Sequence, residues 1–411
     1  MRLAWNDGSA DGRSPRRRRT WRPGAIGFFV AGLVATMLAR AGGGALVARS
    51  ERRLNPVGSP PPYRASERAR EIHARSTVVD LHADSLLWGR DLLVRGERGH
   101  VDVPRLVDGG AAIQVFAVTT KVPRKLNIER NDDRSDDILL VALARGWPPS
   151  TLRSLLARAE YQARRLRAMA DRSEGRLTLI RHRADLTAFL TRRAADRGMV
   201  AGLLAIEGAH ALDGEPANVD RLAAAGYRMV APTHFFDNLF AGSAHGIEQG
   251  GLTSLGRELI GRLEDASIIV DVAHASARTI DDVLAMATRP VVASHTGVRG
   301  MADNARNLSD DQLRGIAATG GMVGIGFWPT ACGGDDAGSI AQSMAYAAGV
   351  VGVEHVGLGS DFDGAVPVPF DATGLALVTE ALLAEGFDEA AVGRMIGGNA
   401  VDLLARCLPA T

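Results

Sequence analysis

The sequence predicts an α/β protein with a (β/α)8 TIM-barrel fold, and two observations lead to that class. Eight short, mostly apolar runs alternate with helical patterns along the chain, which is typical of parallel strands buried on both faces. Most of these runs end in a histidine or a carboxylate. The carboxyl ends of barrel strands meet at one rim, so these polar residues are expected to share one site.

The candidate strands are runs rich in Val, Ile, Leu and Ala, bounded by Gly, Pro or polar residues. In chain order they cover 77–82, 111–119, 202–206, 227–233, 268–273, 291–294, 322–327 and 356–360. Helical patterns separate most of them, over 104–108, 150–170, 218–225, 254–266, 277–287, 309–319 and 339–349, with 374–385 and 389–404 after the last strand. This alternation implies right-handed crossovers and a parallel sheet.

The connection after the second strand, over 120–201, is too long for a simple loop. It contains a charged helical pattern and the short apolar run LTLI, which resembles a strand. We interpret it as an insertion into the barrel, and a helical contact between subunits is the alternative.

Composition and charge place the chain among large globular proteins. It has 411 residues, of which 46% are hydrophobic, and 47 glycines. Residues 1–54 contain 11 arginines against three acidic residues, so the rest of the chain is mildly acidic. No basic stripe crosses that body, and binding to nucleic acid is therefore not expected.

The N-terminal segment has the pattern of a signal peptide or a membrane anchor. Four arginines at 16–19 precede an uncharged apolar stretch over 23–39, which is at the short limit of the roughly 17–25 residues that span a membrane. Either interpretation predicts an exported body, periplasmic, extracellular or membrane-anchored; a basic leader on a cytosolic protein is the alternative. We divide the chain into a leader (1–48), a Pro-rich, extended linker (49–64) and one catalytic domain (65–411).

Two strand ends carry residues that suit divalent metals. His82 and Asp84 are separated by one residue, so their side chains point to the same side and can hold one ion; helix capping is the alternative for Asp84. Glu207 directly follows LLAI, and a buried carboxylate needs a cation or several donors. Its two oxygens could bridge two metals. Neither lysine, Lys121 nor Lys125, lies near a third or fourth strand end, which favours Glu207 over a modified lysine as the bridge.

Three further strand ends add histidines and a carboxylate. His274 and His295 end the fifth and sixth strands, and imidazole suits zinc, with Mn, Co or Ni as substitutes. His234 ends the fourth strand at the same rim, where it could bind substrate rather than metal. After the last strand we expect Asp361 to perform the chemistry, with Asp363 as the alternative.

Taken together, these residues resemble the membrane (renal) dipeptidase family of two-zinc peptidases, over about residues 65–404. Nine elements coincide in order: DLHAD, AIEGAHAL, the TH of APTHFFDN, GLTSLGREL, VDVAHAS, SHTGVR, ADNARNLSDDQLR, GSDFDG and GGNAVDLL. The segment over 235–250 is less typical of the family and is expected to shape the substrate pocket.

The resemblance implies a barrel of the metallo-dependent hydrolase type with two zinc ions per chain. His82, Asp84 and Glu207 would hold one zinc, and Glu207 would bridge to a second, held by His274 and His295. It also implies that His234 polarises the scissile carbonyl, that Asp361 handles the proton and that Arg306 binds the terminal carboxylate. For Arg306, a salt bridge to Asp303 or Asp310 is the alternative.

The predicted function is therefore a zinc-dependent dipeptidase that uses a metal-bridging hydroxide, with a D-residue at the C-terminal position as one candidate substrate type. The alternatives are another binuclear amidohydrolase acting on lactams, lactones or N-acyl amino acids, and a non-catalytic binding protein tethered to the membrane. The family resemblance adds a homodimer to the expectations. Cys332 and Cys407 could pair, but the sequence does not decide this.

Overall fold

The computed structural model describes residues 42–410, and the backbone pairing shows nine strands in one parallel sheet. Eight of them form a closed ring, because the second strand also pairs with the fourth. The strands are β1 (Val78–Ala83), β2 (Ala111–Thr119), β3 (Leu177–Leu179), β4 (Val200–Glu207), β5 (Tyr227–Val230), β6 (Ile269–Asp271), β7 (Val291–Thr296), β8 (Met322–Ile325) and β9 (Val356–Leu358). The predicted (β/α)8 barrel is confirmed.

Helices follow most strands of the ring, as the alternating pattern predicts. Most begin at a Ser, Thr or Asp whose side chain accepts a hydrogen bond from the first turn, such as Ser276 and Asp336. The helices are α1 (42–54), α2 (Glu67–Arg75), α3 (Val103–Asp108), α4 (Asp137–Arg145), α5 (Leu155–Arg172), α6 (Arg183–Ala195), α7 (Val219–Ala225), α8 (Ser254–Asp265), α9 (Ala277–Met286), α10 (Asp310–Ala318), α11 (Pro329–Cys332), α12 (Ala337–Val351), α13 (Ala376–Ala384), α14 (Glu389–Gly393) and α15 (Asn399–Cys407).

The predicted insertion after β2 is confirmed and consists of α4, α5, β3 and α6. Strand β3 lies outside the ring and pairs with the first residues of β4, from Leu177 opposite Val200. Strands β2 and β4 pair directly with each other over seven residues, and this register ends with Thr119 opposite Glu207. The insertion therefore leaves the ring closed and brings the end of β2 to the predicted site.

The segment before the barrel differs from the extended linker that the Pro-rich composition predicts over 49–64. Residues 49–54 continue helix α1, and Glu51 and Asn55 are buried against the barrel. The helix ends at Leu54, and the chain from Asn55 onwards is non-helical until α2, with residues 58–62 exposed. Composition misled the prediction because the helix is held by contacts with distant segments rather than by its own sequence.

Two other predictions concern the N-terminal leader and the two cysteines. The predicted leader lies almost entirely outside the described residues, so it stays a prediction. Within residues 42–410, no helix has the length and apolar character to cross a membrane. Cys332 and Cys407 are both buried and free, so they do not pair.

Candidate active site and metal centre

The carboxyl ends of six strands bring the predicted site residues to one rim of the barrel. Glu207 is the last residue of β4, and His82 and His295 lie within the last two residues of β1 and β7. His274 and Asp361 each follow a strand by three residues and adopt left-handed backbone conformations, with φ of 62° and 60°. Such strain in non-glycine residues persists where the surroundings hold it, and it is common at active sites.

One carboxylate oxygen lies at the centre of the cluster. Oε1 of Glu207 is 3.2 Å from Nε2 of His82, 3.3 Å from Nε2 of His274 and 3.5 Å from Nε2 of His295. Two donor atoms that are each about 2.0–2.1 Å from one tetrahedral ion lie roughly 3.3–3.4 Å apart. These three spacings therefore match those between ligands of a shared metal.

Asp84 and Asp361 extend the cluster on the β1 side. Oδ2 of Asp84 is 3.4 Å from Nε2 of His82, and Oδ1 of Asp361 is 4.0 Å from the same nitrogen. The hydroxyl of Thr119 lies 3.0 Å from both Asp84 and Glu207. Sequence reasoning missed Thr119, although its place as the last residue of β2 could have indicated it. The carboxylate of Asp84 thus points into the cluster, which disfavours the helix-capping interpretation.

His234 contacts the other oxygen of the central carboxylate. Its Nε2 is 3.2 Å from Oε2 of Glu207, and its ring is perpendicular to that of His274 at a centroid distance of 4.6 Å. Nδ1 of His234 is buried and has no hydrogen-bond partner in the described part of the chain. The structure therefore places His234 beside the predicted ligands.

Arg306 is buried at the same rim and makes few contacts. One of its nitrogens donates to the carbonyl of His295 at 2.6 Å, and its guanidinium lies 5.8 Å from the ring centre of Trp328. Among residues 42–410 no carboxylate forms a salt bridge with Arg306, and Asp310 pairs with Arg314 instead. The ion pair with Asp303 or Asp310, which the sequence left as an alternative, does not form.

The two carboxylates after β9 have different surroundings. Asp363 accepts hydrogen bonds from Arg90, Ser85 and the backbone of His100, at 2.5–2.6 Å. Those bonds occupy both of its oxygens away from the cluster. Asp361 lies beside His82, so the geometry favours Asp361 over Asp363 for the chemistry.

The three carboxylates of the cluster are buried, and the positive charge around them is too small to keep all three pKa values low. Burial and the nearby Glu207 raise the pKa of Asp84 to about 6. Burial also raises the pKa of Asp361 well above its ordinary value, against the opposing effect of His82. Burial alone would raise the pKa of Glu207, but His234 and His82 outweigh it and hold that pKa well below its ordinary value. Buried charges of this kind are paired or coordinate metals.

His245, which sequence reasoning missed, determines the tautomer of His274. Nδ1 of His245 lies 2.6 Å from the carbonyl oxygen of Ile128, which can only accept, so this nitrogen carries a proton. Burial, and then Arg306, lower the pKa of His245 to about 3, so its ring is neutral and Nε2 accepts. That Nε2 lies 3.1 Å from Nδ1 of His274, which must be the donor.

The consequence is that Nε2 of His274 presents a lone pair towards Glu207. This nitrogen therefore cannot donate to the carboxylate oxygen 3.3 Å away, and Nε2 of His295 lies 2.9 Å from the same nitrogen. A cation close to these atoms would remove the repulsion between the His274 lone pair and the carboxylate. Imidazole nitrogens and carboxylate oxygens are typical ligands of zinc. The residues present therefore fit a divalent metal centre, and three overlapping sets of ligands can be drawn: His82, Glu207 and His295; Glu207, His234 and His274; His82, Asp84 and Asp361.

The fold and this centre define a metal-dependent hydrolase of the barrel type. Comparison with known families agrees, since the model of the membrane dipeptidase family (peptidase family M19) matches residues 66–407. The chain belongs to this family, and the resemblance seen in the sequence motifs is confirmed.

Individual relatives are consistent with that family. The chain is 28% identical over 325 residues to a dipeptidase from Clonostachys rogersoniana, which covers 74% of this chain and 82% of the relative. The fold of the present chain is similar to that of a metallopeptidase from Rhodobacter sphaeroides liganded with a phosphinate mimic of the dipeptide L-Ala-D-Ala. The two are 26% identical with a TM-score of 0.67, and the match covers 81% of this chain and 99% of the other. A probable dipeptidase from Pseudomonas aeruginosa shares the fold at 20% identity, a TM-score of 0.71 and coverage of 83% and 98%.

Proposed function

We propose that the chain is a zinc-dependent dipeptidase with two metal ions, acting on free dipeptides, including those with a D-residue at the C-terminal position. The observation that carries this proposal is the carboxylate of Glu207, which lies within 3.5 Å of imidazole nitrogens from three other strands. The dipeptide mimic bound by the Rhodobacter sphaeroides relative supports the substrate class and the D-residue.

The ligand assignment follows the family resemblance, because His82, His274 and His295 all lie against the same oxygen of Glu207. His82, Asp84 and Glu207 would hold one zinc, and Glu207, His274 and His295 would hold the other. When bound, such a metal pair lowers the pKa of water and polarises the substrate carbonyl. The remaining residues would bind and orient the dipeptide and move its proton.

Arg306 would bind the terminal carboxylate of the substrate. Burial lowers its pKa to about 10, so the guanidinium is still charged at neutral pH. Among residues 42–410 only one of its donors has an acceptor, the carbonyl of His295, which leaves others for a carboxylate. A fork of this kind binds a carboxylate with two parallel hydrogen bonds, and this would restrict cleavage to peptides that end next to the scissile bond.

His234 and Asp361 would act on the reacting bond. His234, whose Nε2 lies on the outer oxygen of Glu207, would donate a hydrogen bond to the carbonyl oxygen as negative charge develops there. Asp361, at the mouth of the cluster, would take a proton from the attacking water and deliver it to the leaving amine.

The test is an assay of the full chain before and after removal of metal. We expect hydrolysis of L-Ala-D-Ala or L-Ala-L-Ala to disappear on exhaustive chelation and to return with zinc, together with about two zinc ions per chain. Activity that survives chelation would contradict the metal assignment. N-acetyl amino acids, a lactam and a lactone belong in the same panel, and a preference for any of them would overturn the substrate class.

A further inference from the structure

We propose that Glu51 and Asn55 are positioning residues for Asp361, although both precede the segment 66–407 that matches the family. This inference rests on the proposed function, in which Asp361 transfers the proton. Its basis is a chain of buried hydrogen bonds from the end of α1 to the loop 361–365.

The loop that carries Asp361 has an unfavourable backbone. Asp361, Asp363 and Ala365 all have left-handed conformations, with φ of 60°, 63° and 61°. Such conformations are unfavourable for residues other than glycine. The loop therefore depends on outside contacts to keep this shape, and with it the position of the Asp361 carboxylate.

Asp363 is the residue through which the barrel holds this loop. Its side chain accepts from Arg90 at 2.5 Å, from Ser85 at 2.6 Å and from the backbone of His100 at 2.6 Å. Its own carbonyl accepts from the indole of Trp88 at 2.7 Å. Among these partners, Arg90 is also bonded to Glu51 in α1, and His100 to Asn55, the residue directly after α1.

Glu51 binds the far side of the Arg90 guanidinium. Its carboxylate is fully buried and accepts from Nε of Arg90 at 2.5 Å and from Nε of Arg98. Arg90 thus lies between two carboxylates, one on α1 and one on the loop. Arg90 also donates to the carbonyl of Val101 at 2.6 Å. Removing the charge of Glu51 weakens one of the three contacts that orient Arg90, and so loosens one of the partners that hold Asp363.

Asn55 binds the loop at two further points. Its side-chain oxygen accepts from the backbone nitrogen of Ala365 at 2.8 Å. The backbone nitrogen of Asp363 donates to Nδ1 of His100 at 2.9 Å, so Nε2 of His100 carries the proton and donates to the carbonyl of Asn55 at 3.2 Å. The end of α1 therefore contacts the loop directly at 365 and, through His100, at 363.

The test compares Glu51→Gln and Asn55→Ala with Arg52→Gln in the full chain. Arg52 is exposed on the same helix, and its ion pair with Glu97 is 3.9 Å long. We expect kcat for a dipeptide to fall about tenfold in the first two variants with KM within twofold, because small displacements of a catalytic group are costly. Amide hydrogen exchange over 361–365 should accelerate in these two variants, and Arg52→Gln should change neither quantity.

Two results would overturn the proposal. One is exchange over 361–365 that matches the wild type in Glu51→Gln and Asn55→Ala. The other is faster exchange, or a lower melting temperature, with an unchanged kcat per folded molecule, because then the contacts only stabilise the fold. A wild-type protein that cleaves no dipeptide would contradict the proposed function instead, and the exchange measurement would still decide whether α1 holds the loop.

Discussion

Nε2 of His245 lies 3.1 Å from Nδ1 of His274, and this contact fixes the nitrogen that His274 presents to the metal centre. The other nitrogen of His245 is held by the carbonyl of Ile128, in the long connection after β2. Partners of this kind orient the ligating histidines of metal sites and fix their tautomers. The inserted segment thus acts on the centre although it supplies none of the proposed ligands.

Replacing His245 by Phe should therefore weaken metal binding. The ring volume is kept, but Nδ1 of His274 loses its acceptor, and loss of such a partner typically costs 10–100-fold in metal affinity. Competition with a chelator measures this directly. His355→Phe is the matched control, because His355 lies before β9 at the opposite end of the barrel, where it bonds the carbonyl of Gly321. Equal zinc affinity in the two variants would contradict the role of His245.

Replacing Arg306 by Ala should raise KM for dipeptides by roughly 10–100-fold, because hydrogen bonds to charged groups each contribute about 1.5–3 kcal/mol. Arg306→Lys keeps a charge but loses the fork, so we expect an intermediate KM. Steady-state kinetics on a dipeptide and on the corresponding dipeptide amide separates the effects, since the amide lacks the carboxylate. Arg314→Ala, which changes an exposed arginine, is the control. A KM unchanged in Arg306→Ala would remove its assigned role.

Replacing Asp361 by Asn should lower kcat by about 10²–10⁴-fold, the usual contribution of a general acid or base. The variant is nearly isosteric, so zinc content and the far-ultraviolet circular dichroism should stay close to the wild type. Asp311→Asn, at a carboxylate that is 95% exposed, should leave kcat unchanged. Full activity in Asp361→Asn would show that another group moves the proton.

The sequence predicted the barrel well because its strands are buried on both faces. In β1, β2, β4 and β7 every residue is buried, which is why they appear as nearly continuous apolar runs. Because the strands of such a barrel are parallel, the polar residues at their carboxyl ends all lie at the same rim. This reasoning located Glu207 and His274, whose side chains are indeed adjacent.

The residues that the sequence did not predict depend on contacts between distant segments. His245 meets Ile128 across 117 positions, and no local periodicity encodes that pairing. Glu51 lies in a short, arginine-rich helix before a Pro-rich stretch, a composition that resembles a solvated spacer. Its burial depends on Arg90 and Arg98, which form ion pairs with it across 39 and 47 positions of the sequence. Composition describes a segment in isolation, and these roles arise only in the folded chain.

His73 should make the stability of the protein depend on pH below neutrality. It joins α2 to two neighbouring helices, with Nε2 2.8 Å from the carbonyl of Gly109, directly after α3, and Nδ1 2.8 Å from the hydroxyl of Thr379 in α13. Burial lowers its pKa, so the folded protein holds it neutral. In the unfolded chain its pKa is about 6.5. The unfolded state therefore binds more protons as the pH falls below about 6.5, and the free energy of unfolding decreases until the pH reaches the lower pKa of the folded state.

The size of that dependence can be measured with a variant that cannot titrate. Uptake of one proton on unfolding changes the free energy of unfolding by about 1.4 kcal/mol per pH unit. His73→Asn should remove most of this contribution between about pH 6.5 and the folded-state pKa of His73. Urea unfolding of the zinc-loaded protein at several pH values gives the slope independently of the absolute stability. Thr379→Val is the control, because it removes the hydroxyl contact but keeps the imidazole, and it should lower the whole curve while retaining the slope. Parallel curves for the wild type and His73→Asn would show that His73 is protonated to the same extent in the folded and unfolded states.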